Sequence, residues 1–433
     1  MNKKIVILII VGLTFYKSAP AQLVFTSLDS LLRYATKRSI VIQTNDIRIS
    51  QAKKAKLAAI LSIPDPTGNM GLNYTDNTQL PISLFPDANN PGKFNEIQIG
   101  QKYATQVSQN MNIKLLNLAG WENLKLAKLN IDISNSNQQL SIKSLQENIA
   151  SNYYNILNLQ QQIINSEANY QIADSLLQSV QNKYNKGLVK QQDVNDSKVN
   201  VLNSKESIQQ LQYLQQQYYV SLKILCDIPE NEKIMIAETI KEVNASLAPQ
   251  PLLNQLTIQN SLLKEKYALS NYKQISKSLM PTISFNSSRA YNLYSQSFKL
   301  FDGKWFPSSS IGFSLSIPMP SANSIGNKHK AKYDYAIARK ATEQETIKAN
   351  HTQEQLSIDY YKTLSQHKNN QEVLTLRKDS FYKNRALYEQ GIINIDQLLN
   401  SYTAMINAAY NLTSSNINVQ LAEAKININN TVK

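Results

Sequence analysis

Few side chains in this sequence have the type and spacing that catalysis or metal binding requires. None of the three histidines, His329, His351 and His367, lies four residues from another, which argues against a helical zinc motif. Cys226 is the only cysteine, so no intramolecular disulfide can form, and we expect it to be a small buried apolar residue. Neither a glycine-rich phosphate loop nor a G-x-S-x-G nucleophile motif occurs. The sequence therefore predicts that the chain is not an enzyme and has no metal or cofactor site.

Two segments with a matching pattern are better candidates for a functional site. They are Tyr184-Asn185-Lys186-Gly187-Leu188 and Tyr388-Glu389-Gln390-Gly391-Ile392. In each, a glycine follows a long stretch of helical periodicity, which is typical of a residue with positive φ at a helix C-terminus. Another helix is predicted to begin a few residues later, with Asp193 and Gln397 at matching positions. The repetition predicts an internal duplication.

The stretches on either side of these glycines are predicted to be very long helices. From about Asn112 to Lys183 apolar residues recur every three or four positions, and a return helix follows to about Cys226. About 70 helical residues extend ~105 Å, more than a compact domain needs. The second half repeats the pair, with one helix from about Ser324 to Leu387. Its partner has coiled-coil spacing at Ile395, Leu398, Tyr402, Met405, Ala409 and Leu412.

Two predicted strands precede each pair of long helices. In the first half one strand begins at Thr67, and after a polar loop a second alternating run contains Ile97, Ile99 and Tyr103. In the second half the strands are predicted at Thr282–Tyr291 and Ile311–Ile317.

A shorter helix begins each half of the chain. These helices are predicted at about 27–63, with a break near Arg38, and at 252–279. The order of elements predicts a first structural repeat over 22–226, a connector over 227–251 and a second repeat over 252–433.

The N-terminus has the pattern of a secretory signal peptide. Lys3 and Lys4 precede an apolar run from Ile5 to Phe15, and Ala19-Pro20-Ala21 is a suitable cleavage site. The apolar run is too short for the ~20 residues of a membrane-spanning helix. We therefore predict a signal peptide over residues 1–21 and export of the remaining chain.

The chain is basic, with a formal net charge of +14 at pH 7. Such a charge can indicate nucleic acid or anionic lipid as a partner. However, no run of lysine and arginine is longer than two residues, and an exported protein seldom contacts nucleic acid. The charges are therefore interpreted as a solvated surface.

The predicted strands are of the kind that spans an outer membrane. Strands of ~9 to 11 residues with one apolar face suit a membrane barrel, but two pairs cannot close one. Since an open sheet edge is not tolerated in lipid, oligomerisation must supply the remaining strands. Aromatic residues near the strand ends would form interfacial girdles; these are Phe85, Phe94, Tyr103, Tyr291, Tyr294, Trp305 and Phe306.

The chain resembles the TolC-like outer-membrane efflux protein family, the outer membrane factors of tripartite efflux systems. The paired Tyr184-x-x-Gly187 and Tyr388-x-x-Gly391 turns, the duplicated order of elements and Ser316-Ile317-Pro318 carry the resemblance. It implies a mainly α fold with a β-barrel contribution. Long antiparallel coiled-coil helices would form a periplasmic α-barrel, and four membrane strands per protomer would make a 12-stranded barrel in a homotrimer. The implied location is the outer membrane of a Gram-negative bacterium, with an extension into the periplasm.

The resemblance also implies where the functional residues lie. In this family the two glycine turns narrow the periplasmic aperture and meet an adaptor (membrane fusion) protein of an inner-membrane transporter. The matching positions here are Tyr184, Gly187, Leu188, Asp193, Tyr388, Gly391, Gln397 and Asn400. Family members often have acidic residues at the sixth and ninth positions after the second glycine, where this chain has Gln397 and Asn400. A ring of neutral amides would attract cations far less than a ring of carboxylates. Asp193 is expected either to hydrogen-bond Tyr388 of a neighbouring tip or to stabilise the start of its own helix.

The leading hypothesis is a passive exit duct of a tripartite efflux pump. One alternative is the exit duct of a type I protein secretion system. The other is a periplasmic coiled-coil scaffold without a pore, which would account for the helices but not for the duplicated strands.

Overall fold

The computed structural model describes residues 23–87, 90–238 and 250–432. The predicted signal peptide lies outside the described residues, as do residues 239–249 of the predicted connector. The described chain divides into two compact units, one formed within 1–47, 136–259 and 344–433, and the other within 48–135 and 260–343.

Four long helices dominate the structure. They are α3 (Leu118–Asn185), α4 (Gln191–Leu225), α6 (Ala322–Glu389) and α7 (Ile395–Thr431), and α3 and α6 are both 68 residues long. The shorter helices are α1 (Leu28–Arg38), α2 (Ile40–Leu61) and α5 (Leu256–Lys277). The predicted break near Arg38 is confirmed, because α1 ends there and the Ile40 amide begins α2 by donating to Asp227 Oδ2 at 2.8 Å.

The prediction that the first long helix begins at Asn112 is wrong. Residues 112–116 belong to a strand, and Asn112 pairs with Asn286 of another strand. The helix begins after Asn117, whose side-chain oxygen accepts the Gly120 amide at 3.0 Å and caps its first turn. Gly120 is required here, because a Cβ atom would lie 2.8 Å from the carbonyl oxygen of Ser62.

A four-stranded antiparallel sheet lies in the second unit. Its order is β2-β5-β7-β8, formed by β2 (Thr67–Asp76), β5 (Tyr103–Leu116), β7 (Thr282–Ser295) and β8 (Trp305–Ser316). The sheet therefore joins strands from both halves of the sequence. Within it, β2 and β8 are edge strands.

The second predicted strand was placed too early in the sequence. Ile97 lies in β4 (Phe94–Gln98), which pairs with β3 (Ile82–Pro86) in a separate hairpin. Gly100 has a φ of +120° and ends this hairpin before β5 begins at Tyr103.

A short parallel pair that the sequence did not predict lies in the first unit. β1 (Leu23–Phe25) pairs with β6 (Ile234–Ile236), and Phe25 and Ile236 are buried with residues of α1, α3 and α4. Cys226 lies in the same core and is fully buried, as expected.

The coiled-coil spacing of α7 is confirmed at its beginning. Ile395, Leu398, Tyr402 and Met405 are buried, but the next buried position is Ala408 rather than the predicted Ala409. A straight α-helix drifts against a strict heptad by about 20° per heptad, so the buried stripe moves to a neighbouring position.

Candidate functional site: the paired helical tips

The two glycine turns have the same backbone geometry. At the turn between α3 and α4, called tip 1 (Lys183–Asp196), Gly187 has a φ of +74°. Its amide donates to the carbonyl of Tyr184 at 2.8 Å, and the Leu188 amide donates to Lys183 at 2.9 Å. These two bonds define a Schellman motif, which satisfies the last carbonyl groups of the helix.

The turn between α6 and α7, called tip 2 (Leu387–Asn400), repeats this geometry. Gly391 has a φ of +76°, and its amide donates to Tyr388 at 3.0 Å, while the Ile392 amide donates to Leu387 at 2.9 Å. The positive φ predicted for both glycines is therefore confirmed.

The helices that follow the two tips begin in different ways. In tip 1 the carboxylate of Asp193 accepts the Lys190 amide at 2.8 Å. In tip 2 the side-chain oxygen of Asn394 accepts the Gln397 amide at 3.0 Å. Of the two roles expected for Asp193, the structure thus contains the stabilisation of its own helix start.

The four helices pack together beside the tips through one apolar cluster in the first unit. Val180 of α3, Val194 of α4, Phe381 of α6 and Leu398 of α7 are each at most 6% exposed within it. Tyr402 is also buried there, and its hydroxyl donates to the backbone carbonyl of Asn169. Both tips are therefore held by a common core, so a change in one tip can reach the other.

Lys183 connects the two tips directly. Its ammonium lies 3.8 Å from the centroid of the Tyr388 ring and donates to the Tyr388 carbonyl at 3.1 Å. That carbonyl also accepts the Gly391 amide and belongs to the last turn of α6, where a cation is favoured by the helix dipole. The sequence did not single out Lys183.

The two tyrosines of the repeated pattern have different environments. Tyr184 is 37% exposed, whereas Tyr388 is 5% exposed and belongs to the apolar cluster. The Tyr388 hydroxyl has no hydrogen-bond partner among the described residues. Burial, and secondarily the negative charge of Asp193, raise the pKa of Tyr388. The tips are thus alike in backbone but not in side-chain contacts.

Both tips present an apolar side chain to solvent immediately after the glycine. Leu188 is 68% exposed and Ile392 is 64% exposed. Such residues at the end of long helical hairpins are suited to contact another protein.

Gln397 and Asn400 are exposed on the first two turns of α7. Alignment of the two tips on their glycines places Asp193 opposite Gln397 and Asp196 opposite Asn400. Both aspartates are partly exposed. The acidic pair that is missing from tip 2 is therefore present at the matching positions of tip 1. Sequence reasoning missed Asp196, although the duplication itself contained the signal.

The sheet in the second unit has two faces of different chemistry. Side chains on one face form a polar network across β5, β7 and β8, called the polar face. Asn112 donates to Asn286 at 2.6 Å, Asn286 donates to Ser314 at 2.8 Å, and Ser288 donates to Asn110 at 2.7 Å.

The opposite face, called the apolar face, exposes large hydrophobic side chains. On β8 these are Ile311, Phe313 and Leu315, with exposures of 78, 75 and 64%. On β2 Met70 and Leu72 are 74 and 52% exposed. A sheet with one polar and one exposed apolar face is suited to separate water from lipid.

Within the described residues, no helix is long and apolar enough to cross a membrane. The same residues include no group of three or more histidine, cysteine, aspartate or glutamate side chains that could bind a metal ion.

Comparison with known proteins agrees with this architecture. Residues 87–226 match the model of the outer membrane efflux protein family. The predicted resemblance to TolC-like outer-membrane efflux proteins is confirmed. No curated protein matches the chain significantly in sequence.

Solved structures of three membrane proteins share the fold of this chain. The outer membrane protein VceC from Vibrio cholerae is 13% identical, with a TM-score of 0.73 over 93% of this chain and 95% of that chain. The CmeC outer membrane channel of Campylobacter jejuni is 16% identical, with a TM-score of 0.75 over 93% of this chain and 85% of that chain. A membrane protein from Pseudomonas aeruginosa is 14% identical, with a TM-score of 0.76 over 96% of this chain and 93% of that chain.

Proposed function

We propose that this chain is a passive channel of a Gram-negative outer membrane. Three copies would close one barrel from the four-stranded sheets, and the long helices would continue the duct into the periplasm. A periplasmic adaptor would recruit the duct to an inner-membrane efflux transporter.

The observation that carries this proposal is the chemistry of the sheet. Its exposed apolar face requires a non-aqueous surrounding, and its opposite face carries a hydrogen-bonded row of asparagine and serine side chains suited to a wet lumen. In lipid the unpaired edges of β2 and β8 would each leave a row of backbone groups without partners.

Pairing between copies removes both edges. Neighbouring strands alternate in direction across the sheet, so β8 of one copy can pair antiparallel with β2 of the next. The family match and the outer-membrane structures of the same fold support the same role.

The paired tips are proposed as the periplasmic aperture and the surface that meets the adaptor. Leu188 and Ile392 offer the apolar contacts, and the two Schellman turns fix their positions. Tyr184, Gly187, Asp193, Tyr388, Gly391, Gln397 and Asn400 are the other residues assigned to this site.

Single-channel conductance of the purified mature protein in planar bilayers tests the channel, together with its mass in a native gel. A trimer that gives discrete openings supports the proposal. A soluble monomer or dimer without conductance would refute it and favour the coiled-coil scaffold.

A double substitution tests the aperture assignment. Gln397→Asp with Asn400→Asp places carboxylates on tip 2 and should increase cation selectivity, measured as the reversal potential in a salt gradient. Asn350→Asp with Gln371→Asp adds the same charge at exposed positions along α6 and is the matched control. Equal shifts in both double variants would contradict an aperture at the tips.

The proposed recruitment is tested by identifying which adaptor protein co-purifies with the chain. Leu188→Ser and Ile392→Ser should each weaken co-purification of an efflux adaptor. Co-purification of an adaptor from a protein-secreting transporter instead would favour the type I secretion duct.

A further inference from the structure

The apolar face continues past the end of β8 as a stripe of alternate residues. Ile311, Phe313 and Leu315 are followed by Ile317 and Met319, which are 63 and 90% exposed. At about 3.3 Å per residue and a tilt of about 40°, the distance from Ser309 to Met319 corresponds to a height of about 25 Å, the thickness of an outer-membrane apolar band. The segment from Ser309 to Met319 is thus long enough to span the apolar band of the membrane.

A polar row ends this stripe on the side of the strand-connecting loops. Ser309 of β8 is in register with Arg289 of β7, and Arg289 is in register with Gln109 of β5. Arg289 is the one charged residue on the apolar face of these three strands, all of whose residues are described. Its side chain is exposed and forms no ion pair with a described residue.

On β5 and β7 the apolar face beyond this row is covered by protein. The loop over 296–304 folds onto it, where Thr105 Oγ1 donates to the Lys299 carbonyl at 3.5 Å and Leu293 is only 2% exposed. The Trp305 indole donates to the Phe301 carbonyl at 3.2 Å. On β5 and β7, lipid therefore contacts the face up to the level of Arg289, whereas on the edge strand β2 the exposed Leu72 extends the apolar surface one step nearer the loops.

An arginine at this level lies at the boundary of the apolar band rather than at its centre. The centre would be strongly unfavourable for a guanidinium, whereas the boundary is the depth of lipid headgroups. The Arg289 Cζ atom lies 5.2 Å from the centroid of Tyr291, the next residue on that face toward the loops. This contact directs the charge away from the apolar stripe.

We propose that Arg289, with Ser309 and Gln109, binds the phosphate of an outer-leaflet lipid, namely the phosphate of lipopolysaccharide. The inference rests on the proposed membrane function, which makes the loop end of the sheet the outer side. A guanidinium binds phosphate oxygens with two parallel N–H donors, and hydroxyl and amide side chains beside it can donate further hydrogen bonds.

Native mass spectrometry of the full chain in detergent tests this site, with bis-phosphorylated lipid A as the added probe. Arg289→Gln should reduce the lipid A adduct about tenfold, the loss expected for one charge-assisted contact. Arg289→Lys, which keeps the charge but not the planar fork, should reduce it less. Arg377→Gln removes an exposed arginine of α6 and should leave the adduct unchanged.

A change in the probe completes the test. Dephosphorylated lipid A should bind the wild-type chain as weakly as bis-phosphorylated lipid A binds the Arg289→Gln variant. Equal binding of both probes, or equal binding by wild type and Arg289→Gln, would overturn the phosphate site. Phosphatidylglycerol that competes as well as lipid A would overturn the assignment to lipopolysaccharide.

Conductance of the same preparations separates the two proposals. If wild type and Arg289→Gln both conduct but bind lipid A equally, only the lipid site fails. If the wild-type chain does not insert or conduct, the channel itself fails, and the lipid site fails with it.

Discussion

Lys183 is expected to hold tip 2 in its folded form. Its ammonium makes a cation–π contact with Tyr388 and donates to the carbonyl that also receives the Gly391 amide. Lys183→Met keeps the length and apolar stem of the side chain but removes both contacts. We therefore expect tip 2 to open more often in this variant while the helices remain intact.

The size of the effect follows from the two contacts. A cation–π pair contributes about 1 kcal/mol when partly exposed, and a hydrogen bond from a charged donor contributes about 1.5 to 3 kcal/mol. One ammonium makes both, so their contributions do not add fully. A loss of about 2 kcal/mol corresponds to about a 30-fold larger population of the open tip.

Hydrogen exchange measured by mass spectrometry detects this opening, because amide protection reports the free energy of local unfolding. Peptides that contain Gly391 and Ile392 should exchange about 30-fold faster in Lys183→Met. Lys186→Met removes a neighbouring exposed charge of the same turn and is the control, with no change expected in tip 2. Unchanged exchange in the Lys183 variant would refute the claim that this lysine couples the tips.

Three further predictions concern stability and reactivity. Gly391→Ala should destabilise tip 2 by about 1 kcal/mol, because a φ of +76° is strained for alanine although no atom obstructs its Cβ; faster local hydrogen exchange would show this. Gly326→Ala is the control, because Gly326 lies in open space within α6, and alanine there should stabilise the helix slightly. Burial would raise the pKa of Glu122, but hydrogen bonds from Lys277 and Ser270 hold this pKa below its usual value. The ionised Glu122 therefore stabilises the folded chain above about pH 4.5, and this stabilisation is lost as the pH falls through the folded pKa. Glu122→Gln should therefore lose about 2 kcal/mol of unfolding free energy at pH 7 and show a flatter acid dependence in denaturation experiments, and an unchanged profile would contradict this. Burial raises the pKa of Cys226 to about 12, so iodoacetamide at pH 8 should alkylate it only after unfolding, and rapid labelling of the native chain would count against the buried site.

The long helices and their C-terminal ends at the two tips could be predicted because their causes are local. The 3.6-residue periodicity and the glycines at 187 and 391 act within a few residues, and both Schellman turns form where the sequence indicates. The strand beginning at Thr67 was also predicted, since its alternation of apolar and small residues is visible in one segment.

Features that depend on distant parts of the chain could not be predicted in the same way. Residues 112–116 have a composition compatible with a helix, and only their pairing with β7 makes them a strand. The parallel pair of β1 and β6 joins segments of three residues each, too short for any periodic signal. Likewise, the importance of Lys183 comes from Tyr388, which lies in the other half of the chain.

The two tips carry different side chains at positions that the duplication makes equivalent. Their backbones repeat, yet Lys183 in tip 1 corresponds to Leu387 in tip 2, and the aspartates at 193 and 196 correspond to amides at 397 and 400. Backbone geometry depends on the glycines, so it can persist while the side chains around it change. Because Lys183 lies in tip 1 and the buried Tyr388 in tip 2, the contact between them joins the two tips. A separated tip 1 would leave the Lys183 ammonium without its aromatic partner, so we expect the two tips to move as one body rather than independently.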